Sequence, residues 1–222
     1  WRFFKGETFV PMRLASNIME DYHFATNEES GTVFSYNDGI YEEKGKVIAE
    51  REAQERLGNL SKSYYVNETV DAIRRDNFTP TEKFGNPEHG IIVENGILDL
   101  ETRELKDHTP EVIHLSKIPI KYDPEAECPK IKNFISDLVY EEDIKLIQEM
   151  FGYCLLKDYP IAKAFMLLGS GANGKSTLLD LLTRFLGEDN VCSPSLQELL
   201  DNRFKKIELY GKLAKIHADL SN

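Results

Sequence analysis

Gly169-Ser170-Gly171-Ala172-Asn173-Gly174-Lys175-Ser176 is the stretch of this chain whose residue types and spacing could do chemistry. It fits G-x-x-x-x-G-K-[ST], a loop that holds phosphate when a strand precedes it and a helix follows. Glycines accept backbone angles that a Cβ forbids, so the N–H groups from Gly171 to Thr177 can turn inward onto phosphate oxygens. A helix beginning near Lys175 would add four unpaired N–H groups and the positive end of its dipole. Lys175 would reach the β- and γ-phosphates, and the Ser176 hydroxyl would ligate Mg2+. The expected cofactor contacts are Gly169, Gly171, Ala172, Asn173, Gly174, Lys175, Ser176 and Thr177. A fortuitous match in a chain of this length has odds of roughly 1%.

Hydrolysis of a bound triphosphate needs a second carboxylate on the metal and a group that orients water. Leu213 to Leu220 is largely apolar and carries Asp219 near its end, where open α/β sheets bind ligands. Asp219 is therefore the expected second metal ligand and, with Lys175, a catalytic residue. His217 precedes it by two positions and shares its strand face; it reads as a packed or hydrogen-bonded ring. Arg203, Lys205 and Lys206 form a small basic cluster, read as a solvated face, with a phosphate or subunit contact as the sharper alternative.

These residues need elements to position them. Ala164 to Leu168 (AFMLL) is short and wholly apolar, as a strand buried on both faces of a parallel sheet should be. Leu178, Leu181, Leu182, Phe185 and Leu186 mark one face of a helix that Gly187 stops. Upstream, Ile131 to Leu138 and Ile144 to Leu155 carry helical spacing, while Lys121 to Lys130, with two prolines and alternating charge, reads as a connector. Earlier still, Thr32–Tyr36 and Ile40–Tyr41 flank Asn37-Asp38-Gly39 as a hairpin, and Ile91–Val93 and Ile97–Leu100 flank Glu94-Asn95-Gly96 as another. Helices are expected over Val47–Leu57, stopped by Gly58, and from an N-cap at Asn67 toward Thr79-Pro80. An extended run follows from Val112 to Ile120. The expected fold class is α/β, with a mixed α+β domain over residues 1–125. Residues 126–222 should hold a helical connector and part of a P-loop parallel-sheet domain.

Composition narrows the classes. The 222 residues are 41% hydrophobic and 29% charged, which is globular rather than disordered or collagen-like. No apolar run approaches the ~18 residues of a membrane span, and Trp1 to Gly6 lacks a signal-peptide design. The net charge of −11 excludes a whole-surface basic footprint, so any nucleic-acid contact must be local. Cys128, Cys154 and Cys192 form no close pair, which argues for reduced thiols in a cytoplasmic setting. His23, His89, His108, His114 and His217 lie at no zinc-ligand spacing. The start at Trp1 and the stop at Asn222 read as those of a piece of a longer protein.

Taken in order, several short motifs resemble the phage and plasmid primase–helicase family of superfamily 3, which also includes the poxvirus primase–helicase. They are Phe9-Val10-Pro11, Tyr36-Asn37-Asp38-Gly39-Ile40-Tyr41, Asn95-Gly96-Ile97-Leu98-Asp99-Leu100, Tyr122-Asp123-Pro124-Glu125-Ala126 and Gln148-Glu149-Met150-Phe151-Gly152-Tyr153. The loop Gly169–Thr177, Leu186-Gly187 and Leu209-Tyr210-Gly211-Lys212-Leu213 complete the set. The resemblance implies an ATP-driven, AAA+-like helicase that forms a hexameric ring, unwinds DNA during replication and often shares its polypeptide with a primase. It puts the phosphate-loop roles on Gly174, Lys175, Ser176 and Thr177, the acidic-strand role on Asp219, and a collar role on the upstream domain. Two departures stand out: Leu220 follows Asp219 where family members commonly place a second acid, and the chain stops before the expected sensor, pore hairpin and arginine finger.

Two other readings share the loop. A nucleotide or small-molecule kinase would need an acceptor pocket and a mobile basic lid. An assembly module would use bound nucleotide only to stiffen a subunit contact, without turnover.

Overall fold

Two-residue turns close three of the antiparallel strand pairings among the described residues. In the computed structural model, residues 2–85, 90–156, 161, 163–169, 171 and 173–217 are described. They divide into two compact units, residues 1–86 with 108–115, and residues 87–107 with 116–222.

The first unit begins with a small antiparallel pair, β1 (Phe4–Lys5) and β2 (Thr8–Phe9), and then α1 (Pro11–Met19). Next come β3 (Phe24–Asn27), β4 (Val33–Asn37) and β5 (Ile40–Glu42). Asp38 and Gly39 take positive φ, 47° and 91°, the geometry that lets two residues reverse a twisted hairpin. The expected turn at Asn37-Asp38-Gly39 therefore forms, with Asn37 paired to Ile40. Helices α2 (Gly45–Leu57) and α3 (Ser63–Asp76) follow, and β6 (Phe78–Thr79) joins β3 in parallel, giving the order β5-β4-β3-β6. Asn67 lies inside α3, which starts one turn earlier at Ser63; Val66 N–H already bonds to the Lys62 carbonyl there.

Alternation along β3 and β4 separates two cores. Phe24 and Val33 face the helices with Leu14, Ile18, Ala49, Ala53 and Ile73, whereas Ala25 and Phe34 face Tyr41 and Ile113 on the other side. Burying each large aliphatic side chain contributes about 1.5–3 kcal/mol, so the amphipathic spacing of α1 and α3 is the main force docking them. Gly45 starts α2 against β4, where a Cβ would lie 2.7 Å from the Val33 carbonyl oxygen. Residues 108–115 cover the second face, with Tyr41 donating its hydroxyl to the Pro110 carbonyl at 2.7 Å. The run read as extended from Val112 to Ile120 is thus buried covering chain at Ile113 and His114, and it pairs as a strand only at Lys117 and Ile118.

The second unit contains β7 (Ile91–Val93), β8 (Gly96–Leu98), β9 (Leu105–Lys106) and β10 (Lys117–Ile118), ordered β10-β7-β8-β9. The expected hairpin around Glu94-Asn95-Gly96 is β7–β8, with Val93 opposite Gly96. This sheet, placed by sequence in residues 1–125, clusters by contact with the helical half of the chain. Helices α4 (Pro129–Leu138), α5 (Ile144–Tyr153) and α6 (Lys175–Leu186) share one core with it, built on Val93, Ile118, Ile135, Ile147, Met150, Leu178, Leu182 and Leu186. Beyond α6 lie β11 (Val191–Cys192), α7 (Leu196–Asp201), a 3-10 helix over Arg203–Leu209 and β12 (Ala214–Lys215), which pairs with β11 in parallel.

Residues 164–168 do not form the doubly buried strand that their composition suggests. They belong to no strand or helix; Leu167 packs on the core, while Met166 and Leu168 are 65% and 83% exposed. A strand buried on both faces needs hydrogen-bonded neighbours and cover on each side, and no described strand pairs with this segment.

Candidate functional site

The loop ends at α6, and the start of that helix is shaped by two constraints at Gly174. Its φ of 80° is left-handed, and a Cβ there would meet Leu138 Cδ1 at 2.7 Å, with the Phe134 ring just beyond. The backbone angle calls for glycine, and a Cβ would in addition press on the Leu138 side chain of α4. The helix then runs directly from Lys175 with no side-chain cap, and the first intrahelical bond goes from Leu178 N–H to the Gly174 carbonyl. The N–H groups of Lys175, Ser176 and Thr177 consequently have no partner within the helix, the condition that favours an anion.

Leu178, Leu182 and Leu186 anchor α6 in the core, so its first turn is held by packing one turn away. At the far end, Gly187 (φ 88°) ends the helix, and buried Asn190 donates to the Leu186 and Lys117 carbonyls, both at 2.7 Å. Asn190 thus closes α6 and ties it to β10; nothing in its sequence context singled it out.

The two ends of the loop come together. Lys175 Nζ donates to Asn173 Oδ1 at 2.6 Å, and a Cβ on Gly169 would lie 2.9 Å from that same Nζ. The Lys175 ammonium and the Asn173 amide therefore both lie against Gly169. Gly171 has φ 100°, again open only to glycine at low strain. Ser176 and Thr177 are exposed, Lys175 is half-buried, and Leu178 is buried. Ala172, named as a cofactor contact, and Asp219, named as a metal ligand and catalytic acid, lie outside the described residues.

Of the residues expected at the site, the structure thus brings Gly169, Asn173, Gly174 and Lys175 together, with Ser176 and Thr177 on the first helical turn. Free helix N–H groups, a lysine ammonium and a glycine cradle that a Cβ would fill fit a phosphate chain. For Mg2+ the described part is the Ser176 hydroxyl; no cluster of three or more His, Cys, Asp or Glu occurs among the described residues. His217 Nδ1 lies 3.3 Å from the Ser193 carbonyl, which gives the ring a backbone partner on the loop after β11. Arg203, Lys205 and Lys206 lie on the 3-10 helix, with Lys205 bound to Glu208 at 2.7 Å.

Two motifs far apart in sequence prove to be one feature. Asn95 Nδ2 donates to the Tyr122 carbonyl at 3.0 Å, while Asn95 Oδ1 accepts the Tyr122 N–H at 2.8 Å. The β7–β8 turn therefore holds the start of the connector that leads to α4. Next to it, the Asp99 carboxylate accepts the Thr102 and Glu101 N–H groups and pairs with Lys106, which holds its pKa down at about 2. The three thiols are free; burial pushes the Cys154 and Cys192 pKa values up, away from reactivity.

Among the described residues no helix is long and apolar enough to cross a membrane. A comparison with curated proteins finds no match. The family described as D5 N terminal like matches residues 16–139, which is more than half of the chain, and the Gly169–Thr177 loop follows that match. Domains of this kind form the N-terminal part of phage and viral primase–helicase proteins of the D5 type, which places the chain in a DNA-replication context. On that match, whose residues include both hairpins and α2 to α4, the chain belongs to the D5 N-terminal-like family of primase–helicase proteins.

Proposed function

We propose that this chain binds ATP with Mg2+ at Gly169–Thr177 and serves an ATP-driven, superfamily 3 DNA helicase of replication. The observation that carries the reading is the junction at Gly174 and Lys175, a left-handed glycine opening an uncapped helix beneath a lysine ammonium. It gains weight from the primase–helicase context of the family. In this reading the N–H groups of Lys175, Ser176 and Thr177 bind phosphate oxygens, and Lys175 exchanges its bond to Asn173 for the β- and γ-phosphates. Ser176 and Asp219 hold the metal, which neutralises charge developing on the phosphates when bound. Asp219, with Lys175, serves turnover; assembly into a hexameric ring and a primase on the same polypeptide complete the proposed setting.

Titration with a fluorescent ATP analogue tests the reading. Saturable binding that requires Mg2+ and is lost in Lys175→Ala is expected. Equal affinity in that variant, with an unchanged melting curve, would remove the nucleotide site.

A further inference from the structure

The cluster Arg203-Phe204-Lys205-Lys206 acquires a definite arrangement once it folds as a 3-10 helix over Arg203–Leu209. With three residues per turn, positions three apart eclipse and form rows along the helix. One row contains Lys205 and Glu208, which neutralise each other at 2.7 Å. A second contains Arg203 and Lys206, both exposed and neither in an ion pair among the described residues, and ends at Leu209. The third contains Phe204 and Ile207, 64% and 69% exposed, and is followed by Tyr210 at 54%. A row of uncompensated cations therefore runs beside a row of exposed rings and one aliphatic side chain. The Arg203 guanidinium lies over the Phe204 ring, 4.9 Å from its centroid, a cation–π contact that joins the two rows.

Nearby carboxylates leave this face cationic. Glu198 is held by the Ser195 N–H at 2.7 Å in a capping box and Glu208 by Lys205, and among the described residues no carboxylate forms an ion pair with Arg203 or Lys206. Between residues 203 and 212 there are four cations and one acid, in a chain whose net charge is −11. A positive strip on so acidic a molecule is a local feature that discriminates for a polyanion. Cations beside exposed rings match a strand whose phosphates and unstacked bases are both accessible, and a duplex hides those base faces.

We infer that the 3-10 helix Arg203–Leu209 is a contact surface for single-stranded nucleic acid, with Arg203 and Lys206 on the phosphates and Phe204 and Tyr210 beneath bases. The surface does not depend on the nucleotide site, since none of its residues belongs to the Gly169–Thr177 loop. DNA and RNA strands offer the same phosphates and base faces, so the sugar is left to the experiment.

Fluorescence anisotropy of the whole chain with labelled oligothymidylate and oligouridylate of about twenty nucleotides, without ATP, tests this. Binding should be saturable at low salt and weaker for a duplex of the same length. Joint Arg203→Glu and Lys206→Glu substitution should weaken it at least about tenfold, and neutralising each cation should flatten the log–log salt slope by about 0.7. Phe204→Ala should weaken it about fivefold to a hundredfold. Lys175→Ala should bind the strand as the unaltered chain does, so failure here and failure of the ATP site are told apart. A preference between the two oligonucleotides identifies the sugar, and equal binding assigns the surface to both. No saturable binding, binding indifferent to all these substitutions, or equal affinity for duplex would overturn the inference. So would a Phe204→Ala chain that changes its assembly mass while binding the strand unchanged, which would make the face a protein contact. Circular dichroism of each variant checks the fold, which these exposed substitutions should preserve.

Discussion

Asn95 and Tyr122 are joined by a reciprocal pair of hydrogen bonds, amide to carbonyl at 3.0 Å and backbone N–H to amide oxygen at 2.8 Å. One side chain thereby imitates a strand neighbour and fixes the connector to the β7–β8 turn. Asn95→Ala removes both bonds and is expected to cost about 1–3 kcal/mol in urea unfolding. Asn95→Asp keeps the acceptor but sets a carboxylate against the Tyr122 carbonyl, so it should be no more stable than the alanine variant. An asparagine-to-alanine change without measurable cost would show that the connector is held elsewhere.

Gly174 answers to two demands, and they can be separated. Gly174→Ala should lose about 1–2 kcal/mol for the left-handed angle and a further 1–3 for the contact with Leu138. Combining it with Leu138→Ala removes the second part only. A double-mutant cycle in thermal unfolding should therefore show a favourable coupling between the two substitutions. Strict additivity would mean that α4 gives way without cost.

Asn173 holds the Lys175 ammonium through its side chain, whereas the phosphate contact proposed for Asn173 uses its backbone. Asn173→Ala should therefore leave ATP-analogue affinity within about threefold, while Lys175→Ala lowers it at least about tenfold, or about 1.4 kcal/mol. A loss in Asn173→Ala as large as in Lys175→Ala would place the amide itself on the ligand.

Glu52 on α2 is buried, which raises its pKa, but hydrogen bonds from Arg51, Tyr22 and Arg56 outweigh this and hold it below the usual 4.5. A carboxylate depressed on folding contributes stability above its unfolded pKa and loses it as pH falls through the folded value. Glu52→Gln should cost about 1–3 kcal/mol near neutrality. The gap to the unaltered chain should narrow as pH drops from about 6 to about 3. Denaturant unfolding across that range checks it; a constant gap would mean that the loss is packing, not charge.

Local physics carried most of the elements. Asn-Asp-Gly and Glu-Asn-Gly turns, the glycines after Leu57 and Leu186, and the amphipathic spacing of α4 to α6 each act over a few residues, so their outcome is visible in the sequence. The glycine that opens α6 was equally legible, because a left-handed backbone angle at a helix start is a local demand. Tertiary structure alone decided the rest. That Leu138 presses on Gly174, that Asn95 reaches Tyr122 and that Asn190 links α6 to β10 depend on which surfaces bury each other across many residues. The apolar run at 164–168 shows the same limit from the other side: composition states what a segment would bury, but burial needs neighbours, and none of the described strands pairs with it.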